Sequence, residues 1–128
     1  MGKDIHIHHV AVECVSEQDA DCFFSTVLRI PKVKRTMLSK ELSAAIFKID
    51  HSVSFNTYDD GKARFEVFIN PNRMEQLYVH TCIEVDNKND FISRCKDQGL
   101  DPFFVEKNGK QLLFVRDFSG NLFEVLEK

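Results

Sequence analysis

Tryptophan is absent from the 128-residue chain while phenylalanine occurs 12 times, so the core must be rich in Phe rings. No Cys-x-x-Cys pair is present. The four cysteines, Cys14, Cys22, Cys82 and Cys95, fall inside periodic apolar segments and read as buried free thiols in a reducing compartment. No apolar run reaches about 18 residues, which excludes a membrane-spanning helix. There is no basic stripe or polybasic tail. Lys and Arg are interspersed with Asp and Glu at a net charge of −3, which argues against nucleic acid and anionic membranes as partners. Residues 1–4 lead directly into a strand-like segment and leave no room for a signal peptide, so a cytoplasmic location is expected. The remaining composition, 43% hydrophobic and 29% charged, is that of a soluble globular chain forming one domain over residues 1–128.

Residues 5–14 alternate and predict a strand, with Ile5, Ile7, His9, Ala11 and Glu13 on one side. Ser16 then caps a helix in which Ala20, Phe23, Phe24, Val27 and Leu28 form one apolar stripe, and Pro31 closes it. Residues 33–39 and 43–49 read as two short strands joined at Lys40 and Glu41. A polar, irregular piece follows over residues 51–62, ending in the turn Asp59–Asp60–Gly61. The strand expected at 63–70 puts Ala63, Phe65, Val67 and Ile69 on one face and Glu66 on the other. Residues 70–73 are a linker, after which the order repeats. A strand is expected at 77–85, then a helix capped by Asn89 and ended by Gly99. A hairpin of residues 103–106 and 112–116 turns at Asn108–Gly109, and the turn 117–121 leads to a last strand at 122–127.

The chain is thus strand, helix and three strands, twice over, with module 1 at about residues 5–70 and module 2 at about 77–127. His9 and His80 open similar apolar phrases, as do Phe65–Glu66–Val67 and Phe123–Glu124–Val125. The two histidines stand 71 positions apart and the two glutamates 58, so the first module is longer by 13. That excess is expected as an insertion at residues 51–62, where a duplicated unit tolerates extra loop. A carboxylate or imidazole in an apolar strand needs a partner. Related by a pseudo-twofold axis, His9, Glu66, His80 and Glu124 would converge on one point and make a shell for one divalent metal, with positions left for water or substrate. Taken singly, each has a plainer reading as a hydrogen-bonded or solvated side chain. A rival constellation, His6-x-His8 with Glu13, has the spacing of a cupin-like metal motif, but it lacks a preceding strand and a following glycine. His51 reads as a solvated loop histidine.

Four phrases carry a family resemblance: His9–Val10–Ala11–Val12, the Phe23–Phe24 helix, His80–Thr81–Cys82–Ile83–Glu84–Val85–Asp86, and residues 117–124. Over residues 5–127 they resemble the vicinal oxygen chelate superfamily, which includes glyoxalase I, methylmalonyl-CoA epimerase, extradiol dioxygenases and fosfomycin and bleomycin resistance proteins. The last phrase is similar to the family's Asp-Pro-x-Gly-Asn-x-x-Glu ending, with Phe118 in place of proline. The resemblance implies an α+β fold of paired βαβββ modules, an open, cup-shaped mixed sheet with helices outside. It also implies His9, Glu66, His80 and Glu124 as ligands of one divalent ion (Ni, Zn, Co or Mn), as in bacterial glyoxalase I. The implied activity is a metal-dependent lyase or isomerase moving a proton next to a carbonyl through an enediolate, with Glu124, and Glu66 on the opposite face, as catalytic bases. An epimerase acting on a 2-substituted malonyl thioester, a thiol transfer to an antibiotic epoxide, and a resistance-type binding protein without chemistry are the alternatives. The partner is a small-molecule substrate, and short members of the family commonly pair, so a homodimer is expected. One departure bears on substrate. Glyoxalase I typically has an arginine for glutathione carboxylate four residues after its first ligand histidine, and here Glu13 stands there.

Overall fold

The computed structural model describes residues 6–72 and 77–128. Module 1 contains β1 (Val10–Cys14), α1 (Glu17–Ala20), which runs on as a π-helical stretch (Asp21–Val27), β2 (Lys32–Leu38), α2 (Lys40–Phe47), β3 (Val53–Asp59) and β4 (Arg64–Ile69). Module 2 contains β5 (His80–Val85), α3 (Lys88–Asp97), β6 (Phe103–Lys107), β7 (Lys110–Arg116) and β8 (Leu122–Glu127). Each module makes one four-stranded mixed sheet, in the orders β1-β4-β3-β2 and β5-β8-β7-β6. In both, the first strand runs parallel to the last and the other pairings are antiparallel. The paired βαβββ architecture read from the repeat is the observed one. No helix among the described residues is long and apolar enough to cross a membrane.

One apolar core serves both modules. Ala20, Phe23, Phe24 and Val27 are fully buried, as the helical stripe requires. Phe24 stacks on Tyr58 and packs against Phe65 of sheet 1, while Phe23 packs against Phe123 of sheet 2 at 5.0 Å. The π-helical turn, with Leu28 N–H donating to the Phe23 carbonyl five residues back, ends where Arg29 turns to φ 62° ahead of Pro31. Ser16 caps α1 by accepting from the Asp19 N–H. Asn108 and Gly109, at φ 54° and 80°, make the type I′ turn that their sequence requires.

Several boundaries differ from the sequence reading. Strand pairing starts at Val10 rather than at residue 5, and at His80 rather than at 77; Ile5 lies outside the described residues. Asn87, not Asn89, caps α3, its side chain accepting from the Asp90 N–H. Cys14 and Cys95 are buried, but Cys22 is half-buried and Cys82 exposed, so only two of four thiols belong to the core.

The largest correction concerns residues 39–59. The stretch expected as a strand at 43–49 is α2, capped by Ser39, whose Oγ accepts from the Leu42 N–H, and ended by Lys48 at φ 63°. Ala44 and Ala45 favour helix, and the N-cap decides between two short patterns that otherwise compete. The third strand lies instead inside the piece expected to be irregular, at Val53–Asp59. The excess length of module 1 therefore sits between β2 and β3, opposite the two-residue Asn108–Gly109 turn, and it is a helix. Phe65 and Val67 face the core, so Phe68 points to the other side of the sheet, where Phe47 of α2 packs on it edge to face. One helix thus covers the face that the other helices leave open.

Candidate metal centre

The registers make the two half-sites equivalent. In sheet 1, Glu66 on β4 lies opposite Ala11 on β1; in sheet 2, Glu124 on β8 lies opposite Cys82 on β5. His9 is two residues before Ala11 and His80 two before Cys82. Because side chains two apart on an extended chain share a face, each histidine projects to the same side of its sheet as its glutamate.

In module 1 the pair is in contact: His9 Nε2 stands 3.3 Å from Glu66 Oε1, with side chains 36% and 18% exposed. Two donors each about 2.1 Å from one ion lie roughly 3.0–3.4 Å apart at octahedral to tetrahedral angles, so this spacing suits shared coordination. In module 2, His80 Nδ1 is 3.0 Å from the Tyr78 carbonyl. A carbonyl only accepts, so Nδ1 is the donor in this contact, which leaves Nε2 as the ring nitrogen available to a ligand.

The four do not meet inside one chain. Among the described residues, no three His, Cys, Asp or Glu side chains gather as a metal site. The sequence leaves open whether His9, Glu66, His80 and Glu124 would converge within one chain or across a dimer, and within a single copy they do not gather. Each pair belongs to its own sheet, and the two sheets share no ladder. The rival His6-x-His8 site does not assemble either: His8 Nδ1 instead contacts His9 Nδ1 at 2.9 Å.

The residues 117–121 turn sets the start of β8 and hence the placement of Glu124. Asp117 Oδ1 accepts from the Ser119 and Asn121 N–H groups, and Asn121 Nδ2 donates to the Glu13 carbonyl at 2.7 Å. The Val15 N–H donates to Ser119 Oγ, and Cys14 Sγ donates to Asp117 Oδ2. Burial, and then the neighbouring Asp117 charge, push the Cys14 thiol well above its ordinary range. The turn thus locks β1 of one module to β8 of the other. At the exposed Cys82, opposite Glu124, loss of solvation and then the Glu124 and Glu84 charges also raise the thiol.

A cavity of about 310 Å³ opens between α2, the β1–β4 pair and the start of β5. Its wall includes Phe47, Ile49 and Phe68 on the apolar side and Glu13, Ser43, His51 and His80 on the polar side. His51, expected to be merely solvated, is exposed but lines this cavity. Neither α2 nor the cavity was legible in the His/Glu pattern; the signal available was the Ser39 cap followed by Ala44–Ala45.

The strand orders, the parallel pairing of first and last strands and the duplicated registers define an α+β fold of glyoxalase type. The same fold is found in solved structures of glyoxalase family and fosfomycin resistance proteins. A glyoxalase family protein from Bacillus cereus is 18% identical over 99% of this chain and 97% of its own, with a TM-score of 0.74. A glyoxalase family protein from Enterococcus faecalis is 19% identical over 94% of this chain and 95% of its own, with a TM-score of 0.72. A glutamate-to-glutamine mutant of the fosfomycin resistance protein FosX from Listeria monocytogenes, complexed with Mn(II) and a dihydroxypropylphosphonic acid, is 10% identical over 94% of this chain and 88% of its own, with a TM-score of 0.70. No family model matches the sequence, and no curated protein matches it.

Proposed function

We propose that the chain is a metal-dependent lyase or isomerase of the glyoxalase type that works as a homodimer. His9 and Glu66 of one protomer, with His80 and Glu124 of the partner subunit, hold one divalent ion (Ni, Zn, Co or Mn). The observation that carries this reading is the identical His-to-Glu register in both sheets, with each pair on one face and neither completed within the chain. A twofold dimer presents the same surface from both copies, so it would assemble two such sites at once. The complex of FosX with Mn(II) supports a divalent ion on this fold.

The bound ion would supply Lewis-acid stabilisation of the negative charge that develops as a C–H next to a carbonyl loses its proton. The chain's own part is proton transfer and positioning. Glu124 takes the proton and returns it, with Glu66 able to serve the opposite face of a planar enediolate. The Tyr78 carbonyl accepts from His80 Nδ1, which leaves Nε2 available to the ion. The cavity beside His80 holds the substrate body away from bulk water.

Protein purified without chelator is expected to carry about one divalent ion per chain. Glu124→Gln is expected to lower turnover by at least about 100-fold while keeping partial metal binding. A panel of hemithioacetals, 2-substituted malonyl thioesters and fosfomycin separates the isomerase, epimerase and transferase options. Full activity in Glu124→Gln would remove it as the base. Protein without metal, and without activation by Ni, Co, Zn or Mn, would instead favour a binding protein that uses the cavity without chemistry.

A further inference from the structure

We propose that the cavity under α2 selects a neutral or cationic small molecule with an apolar body, its donor group held by Glu13 and Ser43, and rejects anionic ligands. As a statement about substrate it rests on the reading of His80 as part of the reaction centre, because His80 lies in the same wall. As a statement about binding it stands on the cavity alone.

The charge of the wall is the first argument. Among the described residues lining the cavity there is no Lys, Arg or Asp, and Glu13 is the one carboxylate. Glu13 is half-buried, and its Oε1 accepts from Asn70 Nδ2 at 2.7 Å. A carboxylate has room for about four hydrogen bonds, so one neutral amide leaves most of its accepting capacity for a ligand. Among the described residues no Lys or Arg on the cavity wall offsets its charge; His51 and His80 are the basic side chains there. A ligand carboxylate, phosphate or phosphonate placed there would meet like charge at reduced dielectric, whereas an ammonium or hydroxyl would be drawn to it.

The second argument is independent of charge. Ser43 is fully buried, lines the cavity, and its Oγ has no hydrogen-bond partner among the described residues. A buried hydroxyl without a partner is unfavourable unless a bound molecule or water satisfies it. Ser43 and Phe47 are one turn apart on α2, so the helix presents a hydroxyl and a ring together to the cavity. Phe47 contacts Phe68, which stacks on Phe55, and Ile49 adds apolar surface. The volume, about 310 Å³, is at the small end of ligand pockets. The occupant is therefore compact, with a ring or branched aliphatic group and one donor.

The test uses three probes with the same body: 3-phenylpropylamine, 3-phenylpropanol and 3-phenylpropanoate. Each is titrated by calorimetry and protein NMR into full-length protein in chelator, so the outcome does not depend on metal. The amine and the alcohol are expected to bind, with shifts at Ser43, Phe47 and Phe68, and the amine to be favoured over the carboxylate by at least about tenfold. Glu13→Gln, which can keep the Asn70 contact, should remove most of that preference without lowering Tm. Ser43→Leu should fill the space and weaken all three probes, and a thermal melt checks that it is folded. Equal or tighter binding of the carboxylate, binding of none of the three, or an unchanged preference in Glu13→Gln would overturn the proposal. Metal content of the same preparation without chelator, measured separately, reports on the catalytic reading, so either can fail while the other stands.

Discussion

Cys14 lies where the two modules join, and its environment shows how single residues carry both architecture and pH dependence. Burial raises the Cys14 thiol, and burial pushes Cys95 up to about 11 from an ordinary 9.0. Tyr58 is also raised, first by burial and then by the hydrogen bond it donates to Asp21. All three are acids whose neutral form the fold favours. Their contribution to stability is complete below the ordinary pKa and is lost as pH rises through the folded value. Thermal stability should therefore fall from about pH 9 upward, with Cys95 contributing to the loss between 9.0 and about 11. Alkylation at pH 8, followed by peptide mass spectrometry, should modify Cys82 first and leave Cys14 and Cys95 intact until the chain unfolds. Equal labelling of all four cysteines in native protein would contradict the placement of two of them in the core.

At the scale of elements, α2 governs access to the face that carries Glu66. Its short length, eight residues, makes it marginal without a cap and packing. Ser39→Ala should cost roughly 1 kcal/mol and raise amide exchange in residues 40–47 with little change in the sheets. Uniform loss of protection across both sheets would mean that α2 is part of the cooperative core. This helix also marks where the sequence stopped being legible. Residues 43–49, Ser-Ala-Ala-Ile-Phe-Lys-Ile, are a short and mostly apolar run that periodicity alone does not assign to strand or helix, and the Ser39 cap and two alanines speak for helix. β3 was hidden for a complementary reason: its buried positions include Asn56 and Thr57, so the apolar alternation that reveals a strand is broken by polar residues. In contrast, β4, β7 and β8 keep their alternation on one buried face and could be read directly. The Asn108–Gly109 hairpin was equally plain, because its turn demands those residues.

At the scale of the whole molecule, the repeat was legible because both modules keep the same register from histidine to glutamate. The meeting point of the half-sites was not, because the order of residues along a chain does not state whether two modules face each other or a second copy. Within one chain, the 117–121 turn and the shared Phe core fix the modules back to back through helices and loops, with the two sheets unpaired. Exposed apolar side chains on both modules, among them Leu42 and Ile46 on α2 and Phe104 on β6, add surface that a second copy could cover. The most direct measurement is a subunit-mixing experiment with His9→Ala and His80→Ala, each assayed for bound metal alone and after co-refolding. Alone, each variant should lose most of its metal. In the mixed dimer one site combines both substitutions and the other contains neither, so about one ion per heterodimer should return. Recovery to that level supports half-sites shared between copies. No recovery on mixing, with heterodimers shown by mass spectrometry, or undiminished metal in either variant alone, would contradict it.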